Sequence, residues 1–259
     1  MAASGTPRHD DVTVALEDHV ATVELHRPPN NYFDVDLVRA LVAVVFALDD
    51  DPDCRAIVLC SEGKHFCAGA DLGPESHLVE RTAELYTQAV QLFSAKKPMV
   101  AAVQGAAVGG GLGLALAADF RVATPDTRFS CNFAKLGFHQ GFGISVTLPA
   151  VVGQQRALEL LYTGGQVKGA EALAIGLADR LTSPADLRAA AHEMASEIAS
   201  SAPLSLLAIR RTMRGDLAAK VEEATALEHR EQQRLRSTDD FREGVAAMAD
   251  RRAPRFTAK

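Results

Sequence analysis

The stretch Lys97 to Asp119, KPMVAAVQGAAVGGGLGLALAAD, decides how this chain is read. Met99 to Val103 is a short, unbroken apolar run, the pattern of a strand buried on both faces of a parallel sheet. The run Gly109-Gly110-Gly111 then opens an apolar segment that reads as a helix. Small residues at such a point let a ligand approach the main chain. A helix start adds unpaired N–H groups and the positive end of the helix dipole. A second glycine turn lies forty residues earlier, in Phe66-Cys67-Ala68-Gly69-Ala70-Asp71-Leu72. Taken singly, each turn has a plain structural explanation, helix-on-sheet packing for one and a strand-to-loop turn for the other. Converging, they would make an oxyanion hole, a site for a carbonyl that becomes an enolate or tetrahedral anion, where one donor is typically worth about 3 kcal/mol.

Outward from this stretch, Val12–Leu16 and Val20–Leu25 alternate apolar and polar residues across Asp18-His19, as a hairpin does. Asp34 is placed to cap a helix whose apolar positions, Val35, Leu37, Val38, Leu41, Val44, Val45 and Leu48, recur at helical spacing. Arg55–Cys60 reads as a buried strand, His77–Ser94 as an amphipathic helix, and Phe120–Ala123 and Phe129–Phe133 as further short strands. Such alternation predicts an α/β protein built of stacked βαβ units. From Gly153 onward helical patterns dominate, over Gln154–Tyr162, Gly169–Ile175, Ala185–Ser200, Leu204–Met213, Leu217–Leu235 and Asp240–Arg251. With no linker rich in Gly, Pro or Ser, the division is a flexible N-terminus over residues 1–11, a core over 12–200 and a helical region over 201–259.

With 47% hydrophobic and 23% charged residues, the 259-residue chain can bury a full core and is neither disordered nor membrane-spanning in character. A net charge of −6 and the lack of any Lys- or Arg-rich tract give no footprint for nucleic acid. Met1–Asp10 is small and polar, without the apolar core of a signal peptide, and no run of about 18 apolar residues occurs. A cytoplasmic protein with no membrane partner is expected. The four cysteines, Cys54, Cys60, Cys67 and Cys131, lack metal-site spacing and read as small buried hydrophobes, so no metal is expected. Cys67 beside the first turn is the one candidate nucleophile, though no base lies near it in sequence.

Three stretches, GKHFCAGADL at Gly63–Leu72, Lys97–Asp119 as quoted, and the ending Ser237–Phe256, closely resemble the crotonase superfamily, also called the enoyl-CoA hydratase/isomerase family. The resemblance runs from about Val12 to Phe256. It implies a spiral of ββα turns followed by a C-terminal helical region that packs on a neighbouring subunit in a trimer or a dimer of trimers. It also implies an acyl-CoA thioester as substrate, coenzyme A entering as part of that substrate rather than as a permanent cofactor. The thioester carbonyl would take the N–H groups of Ala70 and Gly110, with Ala68, Asp71, Leu72 and Gly109 beside them. Arg27 and Asn30 match the stretch bordering the nucleotide, where Pro29 replaces a lysine common in the family. Arg251 aligns with a basic residue that in the family can reach the 3′-phosphate from a neighbouring subunit, although it reads equally as a solvated charge.

The same resemblance exposes a departure. Hydratases of the family handle water with two glutamates, and the matching positions here are Gly113 and Phe133. Neither can transfer a proton, and such groups usually contribute about 10²–10⁴-fold each, so poor hydration of enoyl-CoA is expected. His139 and Gln140, on the loop Leu136–Gly143 that passes over the acyl carbons in the family, are the nearest polar substitutes. An imidazole has a suitable unperturbed pKa of about 6.5, or it simply bonds to loop backbone. Asn132, Asp71, Glu75, His77 and Glu80 lie close to site positions, with Asp71 suited to an Asx-type turn bond. Tyr86, Val90 and Phe93 are candidate acyl-pocket residues, though a helical apolar stripe is also plain core. Three readings stand: an enzyme that polarises a thioester with substitute acid–base groups, a noncatalytic acyl-CoA carrier or sensor, and a structural subunit of a mixed assembly.

Overall fold

The computed structural model describes residues 11–70 and 78–259. The chain begins with a hairpin, β1 (Val12–Glu17) and β2 (Val20–Leu25), whose turn residues Asp18 and His19 both have positive φ. That geometry matches the twist of the paired strands. Helix α1 (Val35–Asp50) follows, and Asp34 Oδ1 accepts from Leu37 N at 2.8 Å, satisfying one orphan donor of the first turn. Then come β3 (Ala56–Ser61), α2 (Leu78–Leu92), β4 (Met99–Val103), β5 (Ala106–Val108), α3 (Gly110–Ala117), β6 (Phe120–Ala123) and β7 (Arg128–Ser130). The remainder is α4 (Ile144–Val152), α5 (Gln154–Thr163), β8 (Gln166–Lys168), α6 (Gly169–Ala174), β9 (Arg180–Leu181), α7 (Leu187–Ala199), α8 (Pro203–Arg214), α9 (Leu217–Arg236) and α10 (Asp239–Ala249).

Six strands form one sheet in the order β1-β2-β3-β4-β6-β9, parallel except for the opening hairpin. β3 and β4 are buried throughout, and their side chains alternate between two cores. Val58, Cys60, Val100 and Ala102 face α7, where Ala191, Ala195 and Ala199 present a small-residue stripe, while Ile57, Leu59, Met99 and Val103 face α1, α2 and α3. A smaller sheet, β5-β7-β8, stands beyond the ends of these strands. Isolated bridges extend the same arrangement, Phe33 to Ala70 and Cys67 to Ala107. Each passage of the chain therefore runs through a long strand, a short bridging segment and a helix: β3, the Cys67 bridge and α2, then β4, β5 and α3. This is the expected ββα spiral.

Two local expectations change. The strand read over Phe129–Phe133 is only Arg128–Ser130, because Ala134–Leu136 winds into a 3-10 turn closed by left-handed Gly137. Helix α4 was not expected, since it is rich in β-branched residues and contains Pro149. Its first turn has no side-chain cap of its own; instead Glu228 of α9, fully buried, accepts from Gly143 N at 2.9 Å and Ser145 N at 3.0 Å. The helical tail is further pinned by Asp119, which accepts from Met99 N, Arg210 Nε and Arg214 Nη1 at 2.8, 2.9 and 3.1 Å. In α10, Gly244 lies so close to Leu136 that a Cβ there would meet the Leu136 carbonyl carbon at 2.4 Å. The tail thus closes over the spiral of its own chain.

Candidate active site

The bridge from Cys67 to Ala107 sets the two glycine turns side by side, with Val108 N donating to Cys67 O at 3.0 Å. A Cβ on Gly69 would stand 2.8 Å from Val108 O and 3.9 Å from Gly110 N, so the turns meet there. Gly109 has φ +54° and gives α3 no side-chain cap. A Cβ at Gly110 would fall 2.4 Å from Phe33 Cζ, and one at Gly111 would fall 2.1 Å from Cys67 O. The glycine run is thus required sterically as well as offering main chain to a ligand.

The nearby backbone groups are mostly committed. Ala68 N donates to Asn30 O at 2.9 Å, Gly109 N to Ser130 O at 2.9 Å, and Phe33 N to Gly69 O at 3.0 Å. Among the described residues, no hydrogen bond takes the N–H of Ala70 or of Gly110. Both residues line a cavity of about 400 Å³. Its walls are largely aromatic and aliphatic, with Phe33, Phe133, Phe138 and Phe142 joined by Leu85, Val245 and Met248. The last two come from α10, so the tail helices complete the chamber.

Gly113 and Phe133, where the sequence resemblance implies glutamates, adjoin this aromatic wall. Gly113 is buried, and a Cβ there would meet Phe142 Cβ at 2.6 Å. Phe142 packs against Phe33 with ring centroids 5.4 Å apart, and Phe133 lies on the cavity surface. Among the described lining residues there is no aspartate, glutamate or histidine. The polar groups present are those of Tyr32, Thr82, Tyr86, Asn132, Gln232 and Arg236. Tyr86 donates to Gln232 Oε1 at 2.6 Å, and Gln232 Nε2 donates to the His139 carbonyl at 2.9 Å. Burial, with the Glu228 charge adding to it, holds the Tyr86 hydroxyl above its usual range, so it is a hydrogen-bond donor and not a base.

His139 and Gln140 are not on the cavity surface. His139 Nδ1 is paired with the Gln140 carbonyl at 2.8 Å and Gln140 Nε2 donates to Ser145 Oγ at 3.1 Å, so both side chains are engaged within the loop. Of the helix stripe Tyr86, Val90 and Phe93, only Tyr86 lines the chamber. Arg27 holds Asp11 and Asp34 at 2.7 and 2.8 Å, which ties its charge to its own chain. Arg251 is exposed. Asp71, Leu72, Glu75 and His77 lie outside the described residues, as does the Glu80 side chain. Cys67 is fully buried and burial pushes its thiol up to about 12, so it is no nucleophile at neutral pH. No group of three or more His, Cys, Asp or Glu suited to a metal occurs among the described residues, and no described helix is long and apolar enough to cross a membrane. Sequence reasoning missed Gln232 and Arg236, which a helical pattern far along the chain from both glycine turns gives no reason to place at the site.

The enoyl-CoA hydratase/isomerase family model matches residues 15–259. The chain is 34% identical over 251 residues to (E)-benzylidenesuccinyl-CoA hydratase of Thauera aromatica, covering 95% of this chain and 98% of that protein. It is 30% identical over 250 residues to short-chain-enoyl-CoA hydratase of Clostridium acetobutylicum, covering 94% and 96%. The crystal structure of enoyl-CoA hydratase/isomerase from Pseudoalteromonas atlantica matches with a TM-score of 0.85 at 30% identity, over 95% of this chain and 100% of that one. With the spiral, the adjoining glycine turns and matches across nearly its whole length, the chain belongs to the enoyl-CoA hydratase/isomerase family, the crotonase superfamily.

Proposed function

We propose that this protein is an acyl-CoA enzyme that holds a thioester carbonyl between the N–H groups of Ala70 and Gly110 and stabilises the negative charge that grows on its oxygen. The observation that carries this reading is the meeting of the two turns with both donors uncommitted at the wall of one cavity. Two preorganised donors in a water-poor chamber stabilise an enolate without reorganising. Water activation by paired glutamates is not part of the mechanism, because Gly113 and Phe133 occupy those positions. The chemistry that fits is enolate formation in which the substrate itself supplies the driving force, as in decarboxylation, with Tyr86 and Gln232 orienting the acyl group.

The coenzyme portion lies toward the cavity mouth, with Arg251 reaching its 3′-phosphate. The assembly is a homotrimer or a dimer of trimers in the cytoplasm, with residues 201–259 forming the subunit contacts. Leu204, Ile209 and Met213 of α8, exposed by 80%, 56% and 80%, support such a contact. A second reading, a noncatalytic acyl-CoA carrier, is favoured by the lack of any Asp, Glu or His among the described lining residues.

The test is to measure crotonyl-CoA hydration and acyl-CoA binding together. Thioester binding with hydration at least about 10²-fold below an efficient family enzyme is expected. A kcat/KM approaching about 10⁸ M⁻¹s⁻¹ for hydration contradicts the reading. Turnover of any member of an acyl-CoA panel separates the enzyme from the carrier.

A further inference from the structure

Arg236, the last residue of α9, brings a guanidinium to the wall of the chamber that also holds Ala70 and Gly110. Its Nε is buried and has no hydrogen-bond partner among the described residues. One amino group reaches Thr82 Oγ1 at 3.5 Å, and the guanidinium carbon stands 5.3 Å from the centre of the Phe138 ring. Among the described residues no carboxylate pairs with it. Arg121 pairs with Asp179 at 3.0 Å, and Arg210 and Arg214 both pair with Asp119, at 2.9 and 3.1 Å. Arg55, Arg210 and Arg214 each also keep one buried nitrogen without a partner among the described residues, but of these arginines only Arg236 lines the chamber. Burial lowers the pKa of Arg236, the mark of a cation held out of water, yet a guanidinium stays charged at any physiological pH.

A cation placed only to complement the dipole at the end of α9 would sit in solvent, as Arg234 does one half-turn earlier. It would not bury Nε against an aromatic chamber. The unmatched Nε and amino group present the fork that accepts the two oxygens of a carboxylate in parallel hydrogen bonds. The surrounding wall, Leu85, Phe133 and Phe142, suits an apolar stem rather than a second charge.

We infer that the acyl group carried by this protein's thioester bears a free carboxylate, and that Arg236 binds it inside the cavity. The inference rests on the proposed thioester site and names its substrate class: an acyl-CoA with an apolar stem and a carboxylate beyond the thioester. Here Arg236 is a specificity residue and takes no part in proton transfer.

The experiment measures dissociation constants for glutaryl-CoA and adipyl-CoA against their neutral counterparts, valeryl-CoA and hexanoyl-CoA, on the wild type, Arg236→Gln and Arg236→Lys. The wild type is expected to favour at least one carboxylate-bearing thioester by about tenfold or more, the scale of a charge-assisted bond. Arg236→Gln removes the preference, and Arg236→Lys, which keeps the charge but not the fork, retains part of it. Because the ratio is internal to each variant, a general loss of fold weakens both ligands and leaves it readable. No preference in the wild type, with neutral thioesters bound, overturns the inference and leaves the thioester site standing. An Arg236→Gln variant that loses both classes equally overturns it as well, since the arginine then reads a coenzyme phosphate. Failure of every acyl-CoA to bind rejects the inference together with the site beneath it.

Discussion

The chamber has a main-chain wall and a side-chain wall, and the two obey different rules. At the main-chain wall, where the proposed function places the chemistry, the Ala70 and Gly110 N–H groups are set by the Cys67–Ala107 bridge and by three glycines, Gly69, Gly110 and Gly111, at which a Cβ would collide. At the side-chain wall stand Gly113, roofed by the Phe142 ring, and Phe133, the positions at which the sequence resemblance implies proton-transferring glutamates. Donors made of backbone persist as long as the fold persists. Acid–base groups made of side chains disappear with a single substitution, and neighbours then grow into the vacated volume. On the proposed function, that contrast would let a chain keep the fold and the carbonyl site of its family while giving up the reaction the family is named for.

The harshest way to break the comparison is Gly110→Pro, which deletes one donor of the main-chain wall. A loss of about 10²-fold or more in thioester turnover or affinity is expected from the removal of an oxyanion donor, to which the collision of the new ring with Phe33 adds. Unchanged kcat/KM and Kd would show that the carbonyl sits elsewhere.

The side-chain wall is probed by Gly113→Glu. The new Cβ would lie 2.6 Å from Phe142 Cβ, so the variant overpacks the core and loses about 1–3 kcal/mol, lowering Tm by several degrees. Combining it with Phe142→Ala, which keeps the Cβ but removes the ring atoms at 2.9 and 3.0 Å, should cost less than the sum of the two single changes, a coupling that a double-mutant cycle reads directly. Additive effects would mean that Phe142 is not what fills the site.

A smaller effect concerns the four buried thiols. Burial pushes Cys54 and Cys60 up to about 11 and Cys67 and Cys131 up to about 12. An unfolded thiol ionises near pH 8.5, roughly. Above that pH the unfolded chain holds fewer protons than the folded one, so this part of the stability is complete below the unfolded value and declines as pH rises toward the folded values. Urea midpoints that fall between pH 8.5 and 10 in the wild type, and fall less in a Cys67→Ala/Cys131→Ala variant, are expected. Rapid alkylation of Cys67 in the native protein at pH 7 would contradict its burial.

Much of the molecule was legible in the sequence where local chemistry decides the outcome. The Asp34 cap, the apolar run at Met99–Val103 and the glycine opening of α3 all carry their signal within a few residues. The resemblance supplied the spiral. What was hidden depends on contacts far apart in the chain and on one local turn that overrides a strand pattern. Helix α4 opens without a cap of its own because Glu228 supplies one from α9, and the Phe129–Phe133 run stops being a strand where Asn132 O and Phe133 O accept from Leu136 N. His139 was the attractive acid–base candidate by position, yet its ring nitrogen is held by the next carbonyl while the loop backbone, not the imidazole, meets Gln232. Arg236 gave no signal at all, since a C-terminal helix arginine is ordinarily explained by the dipole.

The central claim, that backbone donors polarise a thioester carbonyl in this chamber, is tested most directly by vibrational difference spectroscopy of an acyl-CoA labelled with carbon-13 at the thioester carbonyl. Bound to the wild type, the labelled C=O stretch should fall below its frequency for the same thioester in water, and Gly110→Pro should abolish or reverse that fall in whatever complex remains. A bound carbonyl whose stretch matches or exceeds the aqueous frequency in the wild type would contradict the account.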